Sequence, residues 1–137
     1  MTDTPKTLDL ATFDSLTEAQ EDGIDVHIEH PGTGEPIGIT IRVAGPDSER
    51  QRKAYRRLAD ARLRAGRKKV TPESLEDDAL TLLARSLISW KFAPGVTIGG
   101  DVPEFGVDEA KALFLRFPFI REQVDAAAGS RAGFLKT

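Results

Sequence analysis

Residues 24–43 read IDVHIEHPGTGEPIGITIRV, and this stretch decides the class of fold. Ile24, Val26 and Ile28 alternate with polar residues before the turn. Apolar residues again take every second position after it, at Ile37, Ile39, Ile41 and Val43. Strict alternation is typical of strands with one buried face, and the Pro and Gly residues between the runs favour a turn. The sequence predicts an antiparallel β-hairpin whose apolar face must be covered, because an isolated hairpin is marginal in water.

A strongly basic helix is predicted directly after the hairpin, over residues 49–65. Asp47 or Ser48 provides its N-cap, and Gly66 ends it. Residues 50–69 hold ten bases and one acid, whereas residues 1–49 hold eleven acids and two bases. A basic arm of this kind finds an acidic partner within its own chain, in another subunit or in nucleic acid.

A helical block is predicted over residues 72–135. Thr71 is the expected N-cap and Pro72 the first helical residue, and apolar residues then recur at helical spacing through Trp90 to Phe92. Pro118 separates two later helices. Together with the hairpin, these segments predict an α+β fold in which an N-terminal β-hairpin is followed by about four α-helices.

The chain of 137 residues is long enough for one domain with its own core. We expect residues 23–137 to form that single α+β domain. Residues 1–22 are polar and acidic with scattered apolar positions, and we expect a flexible segment there, either a mobile tail or a short helix.

Targeting and compartment signals are few. The chain has no cysteine, which removes disulfides and thiolate metal sites and fits a cytoplasmic protein. The first residues lack the basic and apolar regions of a secretory signal. No apolar run approaches the roughly 20 residues that span a bilayer. We therefore expect a soluble protein of the cytoplasm that does not enter membranes.

No pattern of catalytic, cofactor-binding or metal-ligating residues is found. His27 and His30 would point to opposite faces of one strand, so they cannot share a metal ion. The Gly-rich turns at 32–34 and 99–100 lack the spacing of a phosphate-binding loop. Two carboxylate pairs are expected in the first turns of helices, where the helix dipole stabilises them: Asp77 with Asp78, and Asp108 with Glu109. The sequence predicts a protein that is not an enzyme and has no cofactor.

Six features follow one another along the chain from about residue 24 to residue 135. They are PGTGEPIG at the hairpin turn (31–38), the basic helix, a helix that ends LISW (87–90), FGVDEAKALF (105–114), the break at Pro118, and RAGFL (131–135). In this arrangement the chain resembles small proteins of tailed bacteriophages and prophages, most closely the tail assembly chaperones of long-tailed phages. The motifs carry no active-site residues.

The resemblance implies a mostly helical, non-enzymatic protein of the host cytoplasm. Such chaperones hold the tape measure protein and recruit tail tube subunits during assembly, and they are absent from the finished virion. Some self-associate, so a homo-oligomer is a further expectation. In many phages a ribosomal frameshift produces a longer form. The basic helix has no counterpart among the roles of the family.

We expect partner binding to use the basic segment and the aromatic residues of the helical block. The candidate partner-binding residues are Arg52, Arg56, Arg57, Arg64, Lys68, Lys69, Trp90, Phe105, Phe114 and Phe134. Two alternatives stay open. One is another phage morphogenesis component, such as a head–tail joining or minor tail protein. The other is a nucleic-acid-binding protein that uses residues 50–69, although the acidic remainder of the chain would repel nucleic acid.

Overall fold

The computed structural model describes residues 7–66 and 70–134. After a 3-10 turn at Leu10–Phe13, the elements are α1 (Asp14–Asp22), β1 (Ile24–Glu29), β2 (Pro36–Val43), α2 (Glu49–Ala65), α3 (Pro72–Ser86), β3 (Leu87–Phe92), α4 (Val107–Arg116), α5 (Pro118–Ala128) and α6 (Arg131–Phe134). The fold is α+β, with a three-stranded antiparallel sheet and six α-helices in the described residues. About four helices were predicted, so the helix count was too low.

The hairpin forms as the alternation predicts. β1 and β2 pair antiparallel, with Ile24 opposite Val43 and Val26 opposite Ile41. The same face carries Ile28, and the side chains of Ile28, Ile41 and Val43 are fully buried. β2 is the central strand of the sheet, because β3 pairs with its other edge.

The third strand corrects a prediction. A helix was expected to run through Trp90 to Phe92, but the helix ends at Ser86 and the chain becomes β3. Ile88, Trp90 and Phe92 alternate with polar residues, so this stretch fits a strand as well as a helix face. The free edge of β2 decides between them, since its unpaired backbone groups gain partners when Trp90 pairs with Ile41.

Helices cover the apolar face of the sheet. The buried core joins the strand residues to Leu80, Leu83 and Leu87, to Leu113 and Phe114, and to Ile120, Val124 and Ala128. The Gln123 side chain of α5 also binds the backbone of Glu29, accepting from its N–H at 2.8 Å and donating to its carbonyl at 2.9 Å. This contact satisfies the edge of β1 where the pairing register shifts.

The predicted bounds of α2 and the predicted start of α3 are confirmed. Ser48 caps α2 by accepting a hydrogen bond from the Gln51 N–H at 3.2 Å, and Gly66 follows its last residue. Thr71 caps α3 and forms a reciprocal capping box with Ser74. Local signals of this kind need no tertiary contact, which is why the sequence reveals them.

Charged pairs between helices correct a second expectation. Asp77 and Asp78 were expected in the first turn of a helix, but α3 begins at Pro72 and they lie one turn further on. Asp77 binds Lys111 of α4 at 2.8 Å, and Asp78 pairs with Arg62 of α2. Their role is to hold neighbouring helices against α3, whereas Asp108 and Glu109 do lie in the first turn of α4.

A mobile tail and a short helix were the two alternatives for the N-terminal segment, and the structure has a short helix at Asp14–Asp22. Gln20 of this helix is fully buried. Its carbonyl accepts from Gly45 N–H at 3.0 Å, and its side-chain oxygen accepts from Asp47 N–H at 2.6 Å. A buried amide with these partners fixes α1 to the loop that precedes α2.

Asp47 also links that loop to the last helix of the described chain. Its carboxylate accepts two hydrogen bonds from the Arg131 guanidinium, at 2.7 and 2.8 Å, and one from Gln20 at 3.1 Å. The Arg131 hydrogen bond is the main reason why the pKa of Asp47 falls from 3.8 to about 2. The ionised carboxylate therefore ties α1, the α2 cap and α6 together.

We expect this link to stabilise the fold only while Asp47 is ionised. Its folded-state pKa lies below its ordinary value, so the stabilisation is complete above pH 3.8 and is lost as the pH falls towards about 2. Both side chains are partly exposed, so the effect is small. Denaturant titrations should show Asp47→Asn less stable than wild type at pH 6 and equal to it near pH 2. Arg131→Ala should remove most of this pH dependence, because only the weaker influence of Gln20 and Arg52 remains, and an unchanged dependence in that variant would contradict the assignment.

Candidate functional site

An open cleft of about 670 Å³ lies between α2, the end of α3 and the start of α4. We call it the basic cleft. Its lining includes four bases, Arg50, Lys53, Arg57 and Arg85, and five apolar residues: Ala54, Ala84, Leu87, Phe105 and Val107. Arg57 and Phe105, a basic residue and an aromatic residue that were predicted to bind a partner, both line this cleft.

The wall of the basic cleft is one face of α2. Arg50, Lys53 and Arg57 follow one another at intervals of three and four residues, which places them in line on a helix. All three are exposed, and Arg85 joins them from the last turn of α3. None of the four bases forms an ion pair with a carboxylate of the described residues. Their charges are therefore available to an anionic partner.

The floor of the basic cleft is apolar. Ala54, Ala84 and Leu87 close it from below and are at most 3% exposed. Phe105 and Val107 form its lip and remain 42% and 39% exposed. A side chain with an apolar body and a negative end would contact both the floor and the wall.

Trp90 holds Phe105 in place. The two rings meet edge to face, with centroids 5.2 Å apart and planes at 89°. The Trp90 indole N–H donates to the Pro103 carbonyl at 3.1 Å, which fixes the loop that carries Phe105. Trp90 is itself packed against the core, so it acts on the cleft by positioning Phe105.

Two acids at one end of the basic cleft are already engaged. Glu21 accepts a hydrogen bond from the Glu49 backbone N–H, which ties α1 to the start of α2. The Glu49 carboxylate binds Arg56 at 2.5 Å, and this hydrogen bond lowers the pKa of Glu49. Both acids line the cleft, but the four bases outnumber them, so the cleft keeps an excess of positive charge.

The structure divides the predicted partner-binding residues into groups. Arg57 and Phe105 lie in the basic cleft, and Arg64 extends the same face of α2 two turns further on. Arg52 and Arg56 lie on another face, where they bind the Asp47 carbonyl and the Glu49 carboxylate. Lys68 and Lys69 fall outside the described residues.

Two aromatic predictions are corrected. Phe114 and Phe134 were expected to contact a partner, but they are 1% and 2% exposed and belong to the interior of the protein. Both side chains point inward because α4 and α6 turn their apolar faces onto the rest of the fold. A partner cannot reach either ring in this structure.

The sequence predictions also missed parts of the site. Arg50 and Lys53 could have been chosen from their spacing with Arg57, since all three occupy one helix face. Arg85 and Val107 carried no such signal, because they reach the cleft only through the packing of α3 and α4.

Two general properties bear on the kind of function. Within residues 7–66 and 70–134, no group of three His, Asp or Glu residues is placed to hold a metal ion. Over the same residues, every helix is too short or too polar to cross a membrane. Comparisons with protein-family models, with curated proteins and with solved structures find no significant match. The proposal for function therefore rests on the chain itself.

Proposed function

We propose that the protein is a tail assembly chaperone of a long-tailed phage or prophage. It holds segments of the tape measure protein, and recruits tail tube subunits, in the host cytoplasm while the tail is built. The observation that carries the proposal is the basic cleft, in which four bases that form no ion pair with any described carboxylate stand over an apolar floor with an exposed Phe105 at its lip. The resemblance of residues 24–135 to these chaperones supplies the biological setting.

The basic cleft selects a client by its chemistry. Its bases favour carboxylates, and its floor and lip favour aliphatic or aromatic side chains. A helical segment with acids on one side and apolar residues beside them would meet both requirements at once. We propose that the tape measure protein, a long helical client, supplies such segments and that this protein covers them without catalysis.

Charge reversal in the basic cleft tests the proposal. We expect the double variant Lys53→Glu, Arg57→Glu to bind the tape measure protein at least about tenfold more weakly, because two attractive contacts become repulsive. Co-expression followed by affinity purification and calorimetry would measure the loss. Lys91→Glu is the matched control, since this exposed base lies on β3 outside the cleft. Equal binding by wild type and the double variant would contradict the assignment of the cleft.

The fate of the protein separates a chaperone from a structural component. A chaperone leaves the particle, so mass spectrometry of mature virions should find the tape measure protein without this chain. Its presence in virions at a fixed ratio would instead favour the alternative of a head–tail joining or minor tail protein.

One observation favours nucleic acid as a second candidate partner. Arg50, Lys53, Arg57 and Arg64 form a line on α2 that spans roughly 21 Å, as phosphate contacts along a backbone would require. The same double variant distinguishes the candidates. Binding to duplex DNA that weakens steeply with salt, and is lost in the variant, would support nucleic acid. Client binding without DNA binding supports the chaperone.

A further inference from the structure

α2 carries a second exposed face, which the basic cleft does not use. A surface groove of about 570 Å³ is lined by Val70 and by four residues of α2: Tyr55, Leu58, Ala59 and Leu63. We call the four α2 residues the apolar stripe. Tyr55 is 66% exposed and Leu63 is 82% exposed. On a helix that turns by about 100° per residue, the stripe lies roughly 100–160° around the axis from Arg57.

The apolar stripe is more than a scatter of surface residues. Its members recur at intervals of three and four along two turns, which is the pattern of a helix face that packs against another element. Tyr55 and Leu63 both leave most of their surface in water. A contiguous exposed face of this kind on a small protein marks an interaction surface.

The positive charge of α2 restricts which surface can dock on the apolar stripe. Arg52 and Arg56 flank Tyr55, and α2 as a whole carries seven bases and two acids. The α2 helix of a second copy would bring like charges together, which disfavours a stripe-to-stripe contact. The occupant should therefore be apolar and acidic.

The same chain exposes a surface with that chemistry. Leu8, Leu10 and Phe13 are 66%, 72% and 47% exposed, and we call them the N-terminal patch. Residues 7–22 contain five acids and no base. Because the patch and the apolar stripe are both exposed in one molecule, they do not cover each other within it.

We propose that the N-terminal patch of one copy docks on the apolar stripe of a second copy. Apolar side chains meet across this contact while the acids of residues 7–22 face Arg52 and Arg56. Each copy carries both surfaces, so a two-fold pair satisfies two identical contacts at once. The contact uses neither the wall nor the floor of the basic cleft, and a dimer can hold a client in each cleft.

Sedimentation over a range of protein and salt concentrations tests the proposal. We expect a dimer of twice 14.9 kDa that dissociates on dilution and at high salt. Leu63→Glu and Phe13→Glu should each give a monomer with an unchanged circular dichroism spectrum, because both side chains are exposed. Leu115→Glu is the matched control, since Leu115 is 66% exposed on α4 and should leave the dimer intact.

Mixing the two monomeric variants gives the sharpest result. The Leu63→Glu copy keeps its patch and the Phe13→Glu copy keeps its stripe, so together they should form a heterodimer through one contact. A wild type that stays monomeric at millimolar concentration would overturn the proposal, as would a dimeric Phe13→Glu variant or a mixture that does not associate. Lys53→Glu, Arg57→Glu should still dimerise, which separates this interface from client binding.

Discussion

Phe114→Ala is expected to lower the free energy of unfolding by about 3–5 kcal/mol. The Phe114 ring is 1% exposed and lies in the core formed by α4, the sheet and the neighbouring helices. Truncation to alanine removes most of its apolar surface and leaves a cavity that packed neighbours fill only in part. Urea titration followed by tryptophan fluorescence would measure the loss, with an unchanged slope if the unfolded state is unaffected.

Phe105→Ala is the matched control for Phe114→Ala. Phe105 is 42% exposed, and its main contact is the edge-to-face pair with Trp90, so we expect a loss of only about 1 kcal/mol. The same variant should weaken client binding, because it removes the lip of the basic cleft. A stability loss as large as that of Phe114→Ala would show that Phe105 is a core residue and would weaken the assignment of the cleft.

The two phenylalanines illustrate what sequence patterns can and cannot reveal about a site. Phe105 lies just before α4 and Phe114 lies on its apolar face. Both were expected to contact a partner. Burial distinguishes them, and burial depends on how α4 packs against α3 and α5. The line of bases on α2 was visible from its spacing, whereas Arg85 joins it only because the end of α3 lies alongside.

The fold shows the same division between local and distant signals. The hairpin at residues 24–43, the capped starts of α2 and α3 and the break at Pro118 all follow from signals within a few residues. β3 does not, because Ile88, Trp90 and Phe92 satisfy a strand pattern while Leu87 and Trp90 also continue the spacing of α3. Pairing with β2, more than 40 residues earlier in the chain, selects the strand.

The turn between α1 and β1 depends on a glycine, Gly23, whose neighbours come from distant parts of the chain. Gly23 follows α1 with φ +81° and ψ 175°, a conformation that is almost restricted to glycine. A Cβ at this position would lie 2.6 Å from the Ile88 Cδ1 atom and 2.7 Å from the Val43 carbonyl oxygen. The carbonyl belongs to the sheet backbone and cannot move aside without disturbing β2. We therefore expect Gly23→Ala to lower the free energy of unfolding by about 3 kcal/mol.

Gly66 is a closely matched control for this prediction. It follows α2 with φ +79° and ψ 168°, and its N–H binds the Arg62 carbonyl as that of Gly23 binds Ala19. No atom of residues 7–66 or 70–134 lies within 4 Å of a Cβ built on Gly66, so Gly66→Ala should cost only the backbone strain, about 1 kcal/mol. The difference between the two variants in thermal or urea unfolding measures the crowding at the sheet. Equal losses would mean that α1 moves away from the sheet edge without penalty, and the close approach of Gly23 to Val43 would then not constrain the fold.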